Sequence, residues 1–270
     1  MNKWFGNSKK IILFIITALL ISMLNAPAAL AEEVNEDFYH DVLSHAKTPL
    51  LNTIESRMEN INLTCGIINE TIVLPNAIFS FNEVVGNRTE ERGFKLAPTF
   101  MDGKIADSLG GGICQVSSTL YYACLLADLE IVERRSHSML PDYVSLPGYD
   151  ATVFWDSIDY KFKNNGGFPL KLLTWVEDTE VQVKILGTKQ NNHTVSIESE
   201  IISEVPAGTI YIDNPNLADG QVNILQPSFT GYTVNTYRKI VNEQGELISL
   251  TFEAKSTYNK LDGIVEYKAG

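Results

Sequence analysis

Histidine and cysteine are scarce in this chain, with four and three residues among 270. No C-x-x-C pair and no H-E-x-x-H occurs, so the spacings that hold zinc are missing and no metal site is expected. No G-x-S-x-G elbow is present. The glycine triplet Gly110-Gly111-Gly112 is not followed by Lys-Ser or Lys-Thr, which excludes a phosphate loop, and no motif calls for a cofactor. Lysine and arginine number 21 against 33 acidic residues, and the formal net charge of −12 argues against a nucleic-acid partner, whose phosphates it would repel. Beyond the first thirty residues no apolar stretch is long enough to cross a membrane. Internal repeats and low-complexity segments are also absent.

The N-terminus has the form of an export signal. Lys3, Lys9 and Lys10 precede an uncharged apolar run from Ile11 to Leu24, and Ala29-Leu30-Ala31 has the small-x-small pattern of a cleavage site before Glu32. The run is shorter than the roughly 20 residues needed to span a bilayer, so residues 1–31 read as a cleaved signal peptide, with no transmembrane span in the mature chain. Cleavage would remove three lysines and no acids, taking the formal charge from −12 to −15. About 240 mature residues can hold one large domain or two smaller ones.

Hydrophobic spacing predicts a helix from Asn35 to Met58, interrupted at Pro49, and a second from Arg57 to Asn69 with Ile61, Cys65 and Ile68 on one face. Pro75-Asn76 marks a turn, Phe79 to Phe81 a short strand, and Arg88 to Ser108 a polar loop turning at Asp102-Gly103. Val116, Leu120, Cys124 and Ala127 give the core stripe of a helix opened by the glycine triplet. Strands are expected at Glu130 to Arg134, Ala151 to Trp155, Asp159 to Phe162, Leu170 to Val176 and Glu180 to Leu186, the last two joined near Glu177-Asp178. The fold class is therefore α+β: N-terminal helices and a helix opening at Gly110–Gly112, packed on an antiparallel sheet. Residues 32–192 form that domain. Residues 193–270, alternating as in Tyr232 to Tyr237, form a small elongated all-β domain.

Cys114 follows the triplet at the start of its helix. The dipole and the unpaired N–H groups there lower a thiol pKa, favour the thiolate and offer donors to an oxyanion. His137 and Asp150 follow in order, which are the residue types of a Cys–His–Asp acyl-transfer site: nucleophile, base and orienting carboxylate. Gly111, Gly112, Ile113, Gln115 and Ser117 complete the expected oxyanion and substrate-binding set. Each has a plainer alternative, with Cys114 a packing residue, His137 a loop histidine and Asp150 a turn cap after Pro147-Gly148. His40, His45 and His193 read as surface residues. Cys114 and Cys124, ten apart on one helix, would lie some 15 Å from each other, beyond disulfide reach. Cys65 and Cys124 read as small buried apolar residues. Were a bridge to form, Cys65–Cys124 is the pairing that leaves Cys114 free.

Phe79-Ser80-Phe81-Asn82, Gly86-Asn87-Arg88-Thr89, the GGGICQVSSTLY run from Gly110 to Tyr121, Leu129 to Arg134, His137-Ser138 and Asp150 to Val153 together resemble the VanW-like family over roughly Ile54 to Gly187. The resemblance implies an exported or envelope-anchored bacterial protein, linked to glycopeptide resistance or cell-wall maintenance, whose partner is peptidoglycan or a cell-wall glycopeptide. The tail, with Gly220, Gly231, Gly245, Gly263 and Gly270, is similar to the five-glycine (G-five) domain, an elongated β-module of cell-wall proteins. The order cysteine, histidine, aspartate also looks like that of transglutaminase-like and papain-like thiol folds, although Gln115 follows the cysteine where the papain-like glutamine precedes it. Two functions remain open: cysteine-based acyl transfer on peptidoglycan or its stem peptides, or non-catalytic cell-wall binding or scaffolding.

Overall fold

A computed structural model describes residues 36–101 and 104–269. The export signal at residues 1–31, the turn at Asp102-Gly103 and Gly270 lie outside the described residues.

The fold is α+β. Its first sheet has the antiparallel order β1-β9-β8-β2, from β1 (Asp41–Pro49), β2 (Ile72–Val73), β8 (Leu170–Glu177) and β9 (Glu180–Gly187). Two helices pack on it, α1 (Glu55–Ile68) and the later α3 (Cys114–Leu126). Ile61, Cys65 and Ile68 of α1 join Val116, Leu120 and Cys124 of α3, with Leu172, Val183 and Ile185 of the sheet, in one core. A second sheet, β3-β7-β6, is built from β3 (Ile78–Ser80), β6 (Glu130–Glu133) and β7 (Lys161–Lys163), with a five-residue helix α2 (Phe81–Val85) after β3.

Three expectations are corrected. The stretch from Asn35 to Met58 is not a helix, because β1 fills its middle and α1 begins at Glu55. In β1 the buried residues Ser44, Ala46 and Thr48 alternate with exposed His45, Lys47 and Pro49. The period of two is carried by small and polar side chains, which a hydrophobicity count misses. Pro49 is tolerated because β1 is an edge strand. The polar loop before Ser108 contains a hairpin of β4 (Leu96–Met101) and β5 (Lys104–Leu109). Ala151 to Trp155 is not a strand. Its backbone pairs with α3 side chains instead: Ala151 N donates to Ser118 Oγ (3.1 Å) and Ala151 O accepts from Ser117 Oγ (2.6 Å). That explains the polar run Ser117-Ser118-Thr119 inside a fully buried helix, where Thr119 Oγ1 also bonds back to Gln115 O (2.7 Å).

The tail forms two three-stranded sheets. One, β10-β13-β14, comprises β10 (Thr194–Val205), β13 (Gly231–Val241) and β14 (Leu247–Tyr258). The other, β11-β15-β12, comprises β11 (Thr209–Asp213), β12 (Val222–Gln226) and β15 (Gly263–Tyr267), with β11 and β15 parallel. The first sheet lies against α3 and the residues after β6. Asn259 N donates to Ser138 O (2.7 Å), and Arg238 Nη2 donates to Leu129 O (2.9 Å). Residues from Phe38 onward form one compact unit.

The glycine triplet is required by packing. A Cβ at Gly110 would meet Arg88 Cγ at 2.9 Å, at Gly111 the Ala97 carbonyl oxygen at 2.2 Å, and at Gly112 Arg57 Cγ at 2.6 Å. Gly110 and Gly112 also have φ of +78° and +100°. Gly66 in α1 meets nothing within 4 Å. Gly111→Ala is therefore expected to destabilise the protein by about 3 kcal/mol, and Gly66→Ala to stabilise it by about 0.5–1 kcal/mol, in urea unfolding. Equal midpoints for the two variants would contradict this packing.

Candidate functional site

α3 delivers Cys114 at its first turn, and the segment after β6 brings His137 and Asp150 to it. Asp150 has no solvent exposure and His137 only 7 %. His137 Nδ1 lies 2.6 Å from Asp150 Oδ2, which also accepts the His137 backbone N–H at 2.7 Å. Arg134 Nη2 donates to Asp150 Oδ1 at 2.9 Å, and the Tyr258 hydroxyl from β14 donates to the same oxygen. Arg134 Nε additionally holds the Asp150 carbonyl at 2.6 Å and its Nη1 reaches Ser256 Oγ at 2.6 Å.

Burial alone would raise the Asp150 pKa. The His137 hydrogen bonds and the charges of His137 and Arg134 outweigh it and hold the carboxyl at about 2. Burial likewise opposes a charged His137, but Asp150 and the Cys114 thiolate push it up to about 9. For Cys114, burial works against ionisation, and His137 beside it, the Val153 backbone and the Thr152 hydroxyl overcome that to lower its pKa. The thiol sits 3.5 Å from Val153 N, 3.4 Å from Val153 O and 3.6 Å from Thr152 Oγ1. The other two cysteines differ sharply. Cys65 and Cys124 are free, buried and pushed up to about 12 by burial. Of the three thiols, only Cys114 has an imidazole beside it that lowers its pKa.

Cys114, His137 and Asp150 are thus brought together, whereas the expected binding set is only partly so. Gln115 turns away and is fully buried. Its Oε1 accepts Arg57 Nη2 at 2.6 Å, and its Nε2 donates to Thr48 Oγ1 (3.0 Å) and Pro49 O (2.9 Å). Ser117 is committed to Ala151. The N–H groups of Gly111, Ile113 and Gln115 are taken by Ser108 O, Gly110 O and Gly112 O. Those of Gly112 and Cys114 have no acceptor among the described residues, so the unpaired donors belong to these two residues and not to Ile113 or Gln115. Asp156 and Asp159 lie outside the constellation, and Asp159 holds Ser80 Oγ (2.6 Å) and Asn82 N (2.9 Å).

Sequence reasoning missed Arg57, Arg88, Arg134 and Tyr258. Arg57 and Arg88 place positive charge around Cys114, and both feel its thiolate. Arg88 and Arg134 stand inside motifs quoted above, but nothing local gave them a role. Tyr258 is 108 residues from Asp150 and carries no local signal. His40 and His45 are exposed, on the β1 side of the sheet and not on a helix. His193 lines a separate polar cavity of about 450 Å³ with Asp128 and Gln190. Among the described residues, no group of three or more His, Cys, Asp or Glu forms a metal-binding cluster, and no helix is long and apolar enough to cross a membrane.

Fold and site define the class: an α+β domain holding a buried Cys–His–Asp constellation at a helix start. Residues 56–186 match the family described as VanW like protein, and the chain carries a VanW-like domain over that span. It is 43% identical over 138 residues to the "Uncharacterized protein YoaR" of Bacillus subtilis (strain 168), across 48% of this chain and 45% of that protein. It is 26% identical over 162 residues to the "Vancomycin B-type resistance protein VanW" of Enterococcus faecalis (strain ATCC 700802 / V583), across 58% and 59%. The chain spans about half the length of these curated relatives. Among solved structures it is similar to the IgA1 protease G5 domain, at 24% identity and TM-score 0.18, over 30% of this chain and 98% of that one. It is similar also to HP0197-G5, at 16% identity and TM-score 0.17, over 28% and 97%.

Two predictions follow from the geometry. Alkylation of Cys114 by iodoacetamide, followed by mass spectrometry, should inflect below the ordinary thiol value of about 8.5, and His137→Ala should move the inflection upward, because burial is then opposed only by the Val153 backbone and the Thr152 hydroxyl. An unchanged inflection would break the pairing. Tyr258→Phe removes a donor to a buried carboxylate and should lower stability by about 2 kcal/mol in denaturant unfolding, whereas Tyr267→Phe, on a half-exposed ring, should leave it within about 0.5 kcal/mol.

Proposed function

We propose that this protein is a thiol-dependent acyl transferase of the cell envelope acting on peptidoglycan stem peptides. The observation that carries the reading is the pairing of Cys114 with His137, itself held by a fully buried Asp150. The Cys114 thiolate attacks the carbonyl carbon of an amide, and the oxyanion is received by the free N–H groups of Gly112 and Cys114. The His137 imidazolium gives its proton to the departing amine, leaving a thioester on Cys114. Water or an acceptor amine then attacks, His137 takes its proton, and the thiolate returns. Asp150 keeps the Nδ1 proton in place and stabilises the imidazolium. The envelope setting is supported by the export-signal pattern and by the matched relative named for vancomycin resistance.

Non-catalytic binding is the second reading, favoured by the same unpaired donors at the start of α3, which suit a captured carboxylate. Incubation with purified muropeptides separates the two. A mass increase on Cys114 equal to an acyl fragment, abolished in Cys114→Ser and reduced about 100-fold or more in His137→Ala, is the expected result. Unmodified Cys114, with ligand affinity unchanged in Cys114→Ser, would leave binding alone.

A further inference from the structure

Arg88 is a charged side chain only 6 % exposed that uses little of its hydrogen-bonding capacity. Nη1 donates to Gly86 O at 2.9 Å, while Nε and Nη2 are buried with no partner. The guanidinium lies against Phe81 (5.7 Å to the ring centroid) and Trp155 (5.6 Å). Among the described residues no carboxylate comes within ion-pair distance of it, since Asp159 is engaged by Ser80 and Asn82. Gly110 has no Cβ, and only so can Arg88 Cγ sit where it does. Burial lowers the Arg88 pKa to about 10, while the Cys114 thiolate opposes the fall. A buried donor left unpaired is unfavourable, more so when charged, and folded proteins seldom retain two on one group without a ligand, an ion or ordered water to complete them.

The two orphaned atoms are informative as a pair. Nε and Nη2 form one edge of the planar guanidinium, the edge whose parallel N–H bonds match the two oxygens of a carboxylate. Val153 touches the thiol, and Trp155, two residues on, roofs the guanidinium. Trp155 is 39 % exposed. Its loop is pinned by the Phe154–Ile158 bridge and by Asn82 Nδ2 on Phe154 O (3.3 Å) and Ile158 O (3.0 Å).

We propose that Arg88, under Trp155, is the subsite for a free carboxylate of the peptide whose carbonyl is presented to Cys114. The proposal rests on the site assigned above as a substrate site, but not on acyl transfer taking place there.

The test uses the full chain as Cys114→Ser, so that no turnover is needed, and follows tryptophan fluorescence with Trp155→Phe to assign the signal. The probes are N-acetyl-alanyl-alanine and its C-terminal carboxamide. The free acid should bind about tenfold or more tightly than the amide. Arg88→Gln should abolish that preference, and Arg88→Lys, which keeps charge without the planar fork, should retain only part of it. Equal binding of acid and amide, including no measurable binding of either at millimolar concentration, overturns the proposal without needing any Arg88 variant to fold. So does a preference that survives Arg88→Gln. Competition by inorganic phosphate as effective as by the free acid would reduce the site to a general anion hole and also overturn it. If the acid is preferred but the wild-type protein forms no thioester, acyl transfer fails and the carboxylate subsite stands.

Discussion

A carboxylate with no solvent exposure must have its charge balanced inside the protein, and the way Asp150 achieves this organises much of the rest. Its two side-chain oxygens accept from the His137 backbone and ring, the Arg134 guanidinium and the Tyr258 hydroxyl. Removing one partner of such a buried charge leaves the others uncompensated, which makes the cluster rigid in composition as well as geometry. The same network fixes the proton on His137 Nδ1, and this leaves the other ring nitrogen for Cys114. The reactivity of a thiol at a helix start is therefore set from a carboxylate on the far side of an imidazole.

One of the four donors to the Asp150 carboxylate, Tyr258, comes from outside the local chain, and the sheet that supplies it makes further bonds nearby. Tyr258 and Ser256 lie on β14, and Ser199 of β10 bonds to Pro147 O just ahead of Asp150. The tail sheet is thus part of the wall that keeps water from the carboxylate. A spacer that merely held the domain near a polymer would have no reason to bury a tyrosine against it. Coupling of this kind makes the stability of the tail and the protonation of His137 depend on one another through linkage.

The legible parts of the sequence were those where one physical rule dominates. The core stripe of α3 and the glycine run before it located Cys114, and the order of His137 and Asp150 on the chain matched their meeting in space. β1 was misread because its buried face is made of Ser44, Ala46 and Thr48, so its period of two is invisible to hydrophobicity. Ala151 to Trp155 has the alternation of a strand, but its partners are hydroxyls of α3 and a thiol. Arg57, Arg88 and Tyr258 could not be found locally, since their roles exist only after long-range contacts form. Gly111 and Gly112 were counted in the oxyanion and substrate-binding set, and the missing Cβ atoms of the triplet also make room for Arg88, Ala97 and Arg57.

That last point shows how an acidic chain gathers positive charge at one place. The net charge of −12 is spread over the whole molecule, while at physiological ionic strength a charge is felt over about 8 Å. The thiolate is coupled to the His137 imidazolium and to the guanidinium groups of Arg57 and Arg88, all three buried. The glycines at 110 and 112 let the two arginine stems come up against the backbone that presents Cys114. Packing and electrostatics are here one constraint: a side chain at either glycine would displace the cation that faces the nucleophile. The charge that faces the nucleophile is therefore set by Gly110, Gly112 and the two arginines they admit, more than by the surface charge of the chain.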